Sequence, residues 1–123
     1  MTLGLDLTLR DVQNQLKQQG HPWEVAKAFD GAAPMGSFAP LPATTDLSDL
    51  SFTLTVNGAL RQQGHSADMI TCVVALLQVI ATIFTLQPGD VVMTGTPEGV
   101  AALNAGDELV LASGGKSWAT RVR

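Results

Sequence analysis

The sequence predicts a β-rich α+β fold, because segments with strand patterns are joined by tight turns and do not alternate regularly with helices. Leu50–Val56 alternates apolar and polar residues with a period of two, which is typical of a half-buried strand. Asn57-Gly58 follows at once, and this dipeptide between two such runs indicates a hairpin closed by a type I′ turn. Gly114-Gly115 predicts a second hairpin. The order of elements favours hairpins with two helices over a chain of βαβ units.

The first thirty residues predict a strand, a helix and a short extended run. Leu3–Leu7 alternates weakly and is interpreted as a strand. Thr8 is a suitable N-cap for a helix over Leu9–Gln19, and Gly20 supplies the left-handed residue that commonly follows a helix. The loop-rich segment beyond this helix contains a predicted extended run over Val25–Phe29.

Further short strands are predicted after the Asn57-Gly58 turn and towards the end of the chain. Turn residues separate them, and Gly95–Gly99 is interpreted as a tight loop. These predicted strands cover Ala59–Gln63, Val91–Thr94, Glu108–Ala112 and Ser117–Val122.

An uncharged stretch of 18 residues, Met69–Leu86, raises the question of a membrane span. Its length is near the lower limit for crossing a bilayer. It contains Gln78, and no Lys or Arg flanks it to set an orientation. The sequence therefore predicts a helix that starts near Ala67, with Ser66 or Asp68 as its cap. We expect this helix to be buried in the core or in an interface rather than in a membrane.

The composition predicts a single domain over residues 1–123 that hides part of its surface. Hydrophobic residues make up 46% and charged residues only 15%, against roughly a quarter in typical domains. Such a surface indicates contact with another subunit or a missing segment. The net charge of −4 and the scattered basic residues exclude nucleic acid and anionic membranes as partners. One cysteine excludes an intramolecular disulfide, and we expect a cytoplasmic protein without a signal peptide.

Candidate site residues cluster near the N-terminus. Asp6 at a strand end, with Arg10 and Gln13 a turn beyond it, would place one carboxylate and two polar side chains around one spot. Mg²⁺ takes oxygen ligands of this kind, commonly two or more from carboxylates. The alternative, which spacing alone favours, is that Asp6 and Asp11 are an exposed strand end and a helix-start charge stabilised by the helix dipole.

Two further candidates are a lone lysine and a threonine in a loop. Lys27 lies in an apolar run, where a partly buried ammonium needs an anion as partner. Its alternative is a surface lysine whose stem covers apolar surface. Thr96, in the stretch TGTP, is placed to offer its hydroxyl to an anionic oxygen, or else belongs to an ordinary turn. No G-x-S-x-G elbow, P-loop or GxGxxG motif is present.

Five stretches in order resemble the fumarylacetoacetate hydrolase family: LDLTLRDVQ, GHPWEVAKAFD, VNGALRQ, LQPGDVVMTGTPEGV and GDE. The resemblance covers nearly the whole chain, and LxPGDxxxTGTPxGV is its most specific element. It is similar in particular to acylpyruvases, oxaloacetate decarboxylases and hydroxyhepta-dienedioate isomerases. The resemblance implies a mixed β-sandwich roll, usually dimeric.

The resemblance also implies a role for each candidate residue. Asp6 matches a ligand of Mg²⁺ or Mn²⁺, and Lys27 matches an active-site lysine near the substrate. Arg10, Gln13 and Thr96 match residues that contact the substrate. The implied activity is metal-dependent hydrolysis or decarboxylation that cleaves a C–C bond of 2-oxo or β-diketo acids, such as acylpyruvates and oxaloacetate, through a metal-stabilised enolate. Tautomerisation passes through the same enolate and stays open as an alternative.

The sequence departs from the family pattern in one respect, because the family's E-x-E glutamates lie upstream of LDxTxRD and the chain starts at Met1. We therefore expect it to lack the N-terminal part of the catalytic domain, to hold Mg²⁺ or Mn²⁺ only weakly and to be inactive alone. A homodimer or a complementing chain is the expected partner, besides the small-molecule substrate. The alternative is an inactive remnant that serves as a dimerisation module.

Overall fold

The computed structural model describes all residues 1–123 and divides them into two compact units, Met1–Ala39 and Pro40–Arg123. The first unit carries two helices, and the second carries a four-stranded sheet, a 3₁₀ turn and one helix. The helices are α1 (Arg10–Gln19), α2 (Glu24–Lys27) and α3 (Val73–Ala81), with the 3₁₀ turn at Ser66–Asp68. The strands are β1 (Ser51–Val56), β2 (Ala59–His65), β3 (Glu108–Ser113) and β4 (Lys116–Arg121).

The first unit begins with an extended segment that pairs with a later part of the same unit. The backbone N–H of Leu5 donates to Pro34 O at 2.9 Å, and that of Gly36 donates to Leu3 O at 3.0 Å. These two bonds form an isolated antiparallel bridge between Gly4 and Met35. The next rung needs an N–H from residue 34, which proline lacks. The N–H of Leu7 still donates to Ala32 O at 2.9 Å, but without an N–H at residue 34 the paired bonds of a ladder are interrupted, so the predicted strand over residues 3–7 is wrong and only one bridge forms.

Helix α1 begins one residue later than predicted, and its N-cap is not Thr8. The N-cap is Leu9, which makes no side-chain capping bond, and the Thr8 hydroxyl accepts a hydrogen bond from Lys27 instead. The predicted end of the helix is confirmed. Gly20 adopts a left-handed conformation with φ 67°, and the N–H of His21 donates to Leu16 O at 2.9 Å.

The predicted extended run over Val25–Phe29 is wrong, because this segment contains the single helical turn α2. The N–H of Ala28 closes the turn by donating to Glu24 O at 2.6 Å. Ala26 lies inside it and is fully buried. Alanine favours helix, and a small side chain fits where the backbone of α2 lies close to the preceding segment.

The sheet of the second unit is antiparallel with the strand order β2-β1-β3-β4. Both predicted hairpins are confirmed, and Asn57 (φ 51°) and Gly58 (φ 80°) form the turn between β1 and β2. Alternate residues of the two central strands are buried and form the core of this unit: Leu54, Val56, Leu109 and Leu111. The β-rich α+β class is confirmed.

A polar cross-link ties the first hairpin turn to the start of β3. Asn57 Nδ2 donates to Asp107 Oδ1 at 2.8 Å, and the N–H of Glu108 donates to Asn57 Oδ1 at 2.9 Å. The N–H of Asn104 donates to the other oxygen of Asp107. This backbone bond, with help from the Asn57 amide, lowers the pKa of Asp107 from its usual value. The carboxylate form therefore fits this corner of the sheet.

The apolar segment forms a shorter helix than predicted. Ser66–Asp68 is a 3₁₀ turn, and α3 starts after Cys72, which is exposed at its N-cap. No helix has the length and apolar character needed to cross a membrane. No residue of α3 is buried, so the prediction of a core helix is wrong within this chain, and the interface alternative stays a prediction.

The predicted strand over residues 91–94 is also wrong. This segment has no regular structure, because no other part of the chain pairs with it to supply the hydrogen bonds of a ladder. Together with the end of α3, it lines a shallow apolar cavity of about 520 Å³. The lining residues include Ile80, Phe84 and Met93.

Candidate functional site

The extended N-terminal segment directs Asp6 and Thr8 to the same side. Successive side chains of extended backbone point in opposite directions, so residues 6 and 8 share a side and residues 5 and 7 face the other way. Leu5 is buried accordingly, while Asp6 is exposed. The N–H of Leu9 donates to Ala26 O at 3.1 Å, which fixes α2 beside this segment. Lys27, the last residue of α2, is thereby brought to the two polar side chains.

Lys27 Nζ donates to both neighbours. It forms an ion pair with Asp6 Oδ1 and a hydrogen bond of 2.9 Å with Thr8 Oγ1. The Lys27 side chain is 34% exposed and that of Asp6 is 41% exposed, so both groups reach solvent. Exposed ion pairs contribute only about 0.2–1 kcal/mol to stability, so the fold does not depend on this one. The result is a solvent-accessible ammonium with an anion and a hydroxyl as partners.

Arg10 and Gln13 form a second pair, one turn apart on α1. The Arg10 guanidinium donates to Gln13 Oε1 at 2.6 Å. Both groups therefore lie on one face of the helix, as their spacing predicts. Within the first unit, the structure brings Asp6, Thr8 and Lys27 into one cluster and joins Arg10 to Gln13 in another.

Thr96 belongs to the second unit, where it is exposed in the irregular loop Thr94–Gly99. The loop is held to β2 through Gln62, whose Nε2 donates to Pro97 O at 3.1 Å and to Glu98 O at 3.3 Å. The substrate-binding role of Thr96, like the roles of Asp6, Arg10, Gln13 and Lys27, stays a prediction.

The residues present do not form a divalent cation site by themselves. No group of three or more His, Cys, Asp or Glu side chains is placed to hold a metal ion. Asp6 is a single carboxylate, and one of its oxygens already accepts from Lys27. Mg²⁺ requires octahedral coordination by oxygen, so the one free oxygen of Asp6 leaves most of the ligands to be supplied by other groups.

Two residues that hold the candidate side chains in place, Thr8 and Gln62, are not predicted from the sequence. The sequence predicts Thr8 as a helix cap, although its two-residue spacing from Asp6 in extended backbone is the signal that places both side chains on one side. Gln62 carries no signal of this kind, because its bonds to Pro97 and Glu98 span 35 and 36 residues of sequence.

Comparison with known proteins identifies the class to which this fold and these residues belong. The sequence profile described as fumarylacetoacetate (FAA) hydrolase C-terminal matches residues 1–122. The chain therefore belongs to the fumarylacetoacetate hydrolase family, a family of enzymes, and its fold is the one this family adopts.

Particular relatives of the chain are named enzymes. It is 50% identical over 121 residues to oxaloacetate tautomerase YcgM of Escherichia coli, covering 98% of this chain and 55% of the relative. It is 40% identical over 107 residues to the mitochondrial oxaloacetate tautomerase FAHD1 of Bos taurus, covering 87% and 48%. The chain spans about half the length of the curated relatives it matches.

Two solved structures also match the fold of the chain. An Escherichia coli protein matches with a TM-score of 0.93 and 50% identity, covering 99% of this chain and 59% of the other. Fumarylpyruvate hydrolase of Pseudomonas aeruginosa, crystallised in complex with Mn²⁺ and pyruvate, matches with a TM-score of 0.91 and 37% identity, covering 98% and 52%. The predicted resemblance to the family is confirmed.

Proposed function

We propose that the chain forms part of an enzyme that converts the keto form of oxaloacetate, or of a closely similar 2-oxo acid, into its enol. The tautomerase that is 50% identical to the chain supports this reaction. Cleavage of a C–C bond in an acylpyruvate is the second candidate, and the 37% identical fumarylpyruvate hydrolase supports it. Product analysis separates the two, because a tautomerase keeps the carbon skeleton and a hydrolase or decarboxylase yields pyruvate.

The proposed reaction depends on the ammonium of Lys27, which Asp6 and Thr8 hold at the surface. When a base takes the proton from C3 of oxaloacetate, the C–H electron pair forms the C2–C3 double bond and the carbonyl π pair moves onto the C2 oxygen, which is negative until it takes up a proton as the enol. A fixed ammonium beside that oxygen stabilises the negative charge as it develops. C–C cleavage of an acylpyruvate generates an enolate at the equivalent oxygen, so Lys27 serves both candidates as a catalytic residue.

The roles that we propose for the other candidate residues follow from the resemblance to the family. In this proposal Arg10, Gln13 and Thr96 contact the carboxylate and keto oxygens of the substrate. Asp6 contributes one ligand to Mg²⁺ or Mn²⁺, whose other protein ligands come from outside residues 1–123. The metal is then weakly held by this chain, and we expect no turnover from the chain alone.

Lys27→Met is the substitution that tests the proposal. Oxalate serves as the probe, because it is a planar dianion that resembles the enolate of a 2-oxo acid. We expect the wild-type chain to bind oxalate, and Lys27→Met to weaken binding at least about tenfold, since a hydrogen bond to a charged group contributes about 1.5–3 kcal/mol. Titration followed by nuclear magnetic resonance (NMR) measures the dissociation constant.

Lys17→Met is the matched control, because Lys17 is an exposed lysine of α1 outside the Asp6 cluster. It should leave the affinity for oxalate within about twofold of the wild type. Absence of oxalate binding to the wild-type chain, or equal binding by the Lys27 and Lys17 variants, contradicts the proposal.

We also propose that residues 1–123 act as a single domain, corresponding to the C-terminal part of the family's catalytic domain, and that a second copy or a complementing chain covers the exposed side of α3. The proposal is supported by apolar side chains exposed on α3 and just beyond it, among them Val74, Val79 and Ile83 at 51%, 58% and 71%. A surface of this kind on a soluble protein indicates an interaction site.

If two copies associate through α3, the thermal midpoint of unfolding depends on concentration. We expect Tm to rise by roughly 5 °C over about a hundredfold increase in protein concentration, because association stabilises the folded state by mass action. Val79→Glu should remove this dependence by placing a charge on the exposed side of α3. A Tm that is independent of concentration in the wild type would exclude self-association and leave the complementing chain.

A further inference from the structure

The loop that carries Thr96 has few attachments to the rest of its unit. Residues 94–99 make no backbone–backbone hydrogen bond to any other segment. Their only hydrogen bonds come from the Gln62 side chain, whose amide donates to the consecutive carbonyl oxygens of Pro97 and Glu98. A single carboxamide therefore supplies all the hydrogen bonding that fixes this loop, and the two donors of its NH₂ group suit two acceptors.

A second contact at the same place presses the loop against strand β2. Gly99 has φ +93°, and a Cβ built on it would lie 2.3 Å from the carbonyl oxygen of Arg61 and 3.2 Å from Cγ of Gln62. Only glycine allows the loop backbone to approach the strand this closely. The loop is thus held by hydrogen bonds on one side of Gly99 and by direct packing at Gly99 itself.

A β-bulge in β2 explains why the side chain of Gln62 reaches the loop. Leu54 pairs with Gln62, but the next residue, Thr55, pairs with Leu60, so Arg61 is left over as a β-bulge. Bulges bend a strand and redirect its side chains. Gln62 is half-buried beneath the loop, while its neighbours Arg61 and Gln63 are exposed.

We propose that Gln62 is a positioning residue, which holds the loop on β2 in the conformation that presents Thr96 to a 2-oxo acid. The inference rests on the proposed function for the role of Thr96. The attachment of the loop to β2 can be measured in the absence of any ligand. Release of the loop lowers affinity because only the fraction of molecules with the loop in place then binds.

Gln62→Leu and Gln62→Glu together test the hydrogen bonds. Leucine removes the donors at similar size, and glutamate keeps the shape of glutamine but offers no donor when ionised. In ¹⁵N-labelled protein at neutral pH, we expect the amide order parameters of Thr96, Glu98 and Gly99 to fall from about 0.85 to below about 0.6 in both variants. Gln63→Leu, at the exposed neighbouring position, should leave them unchanged.

The same samples are then titrated with oxalate. We expect both Gln62 variants to bind at least about tenfold more weakly than wild type, and Gln63→Leu to bind as wild type does. Unchanged order parameters in the Gln62 variants, release by leucine only, or wild-type affinity with a released loop would overturn the inference.

The two readouts separate this inference from the function on which it rests. If wild-type protein does not bind oxalate, the proposed function fails, whatever the loop does. If wild-type protein binds oxalate and the loop stays rigid without Gln62, the positioning role fails and the proposed function stands. Signals of the sheet amides, which should not shift, show that each variant is folded.

Discussion

Replacement of Leu109 by alanine is expected to lower the free energy of unfolding by about 3 kcal/mol. Leu109 is 2% exposed, the most deeply buried large side chain of the chain, and it lies opposite Val56 on the central strand pair. Leu→Ala substitutions at such sites cost about 2–5 kcal/mol, because apolar contacts are lost and a cavity is left. Urea denaturation followed by circular dichroism measures the change as a shift of the midpoint at constant slope.

Leu60→Ala is the matched control for this prediction. It makes the same chemical change at a position of β2 that is 61% exposed. We expect it to change the unfolding free energy by no more than about 0.5 kcal/mol. Equal effects of the two substitutions would mean that the four-stranded sheet does not enclose the core described above.

Gly99→Ala is expected to displace the Thr94–Gly99 loop from β2 and to weaken oxalate binding at least about tenfold. The added Cβ overlaps the carbonyl oxygen of Arg61, which is backbone and cannot move aside as a flexible side chain does. The positive φ of residue 99 adds strain for any residue with a side chain, of order 1–3 kcal/mol. NMR measures both the position of the loop, through its amide shifts, and the affinity.

Gly95→Ala is the control that separates backbone strain at a positive φ from steric overlap of the new Cβ. Gly95 also has a positive φ, at +131°, but a Cβ there meets nothing within 4 Å. We therefore expect Gly95→Ala to leave the loop in contact with β2 and to reduce affinity less than Gly99→Ala does. If alanine at residue 99 leaves the loop shifts unchanged, the close approach of the loop to the strand is disproved.

The hairpins were predictable from sequence because short-range chemistry determines them. Asn57-Gly58 and Gly114-Gly115 adopt the positive φ values that a type I′ turn needs, and few other residues tolerate them. The strand over residues 91–94 and the N-terminal strand were mispredicted because a strand also needs a partner. Residues 91–94 find no partner, and the N-terminal segment lacks one bond of its ladder because Pro34 has no N–H to donate.

The candidate site was predictable only in part. Spacing placed Arg10 and Gln13 on one face of a helix, since that relation is local. Lys27 and Asp6 are 21 residues apart, so the spacing does not predict that they form an ion pair. A hydroxyl before a helix usually caps it, which is why the sequence predicts Thr8 as the cap, but here the Thr8 oxygen accepts from the ammonium of Lys27.

The cross-link between Asn57 and Asp107 joins residues that are 50 positions apart in the chain. Each hairpin closes on contacts between near neighbours, but the central pairing of β1 with β3 must first bring distant segments together at an entropic cost. Contacts of this long range slow folding far more than local ones do. We therefore expect the pairing of β1 with β3, rather than the closing of either hairpin, to limit the rate at which the sheet assembles.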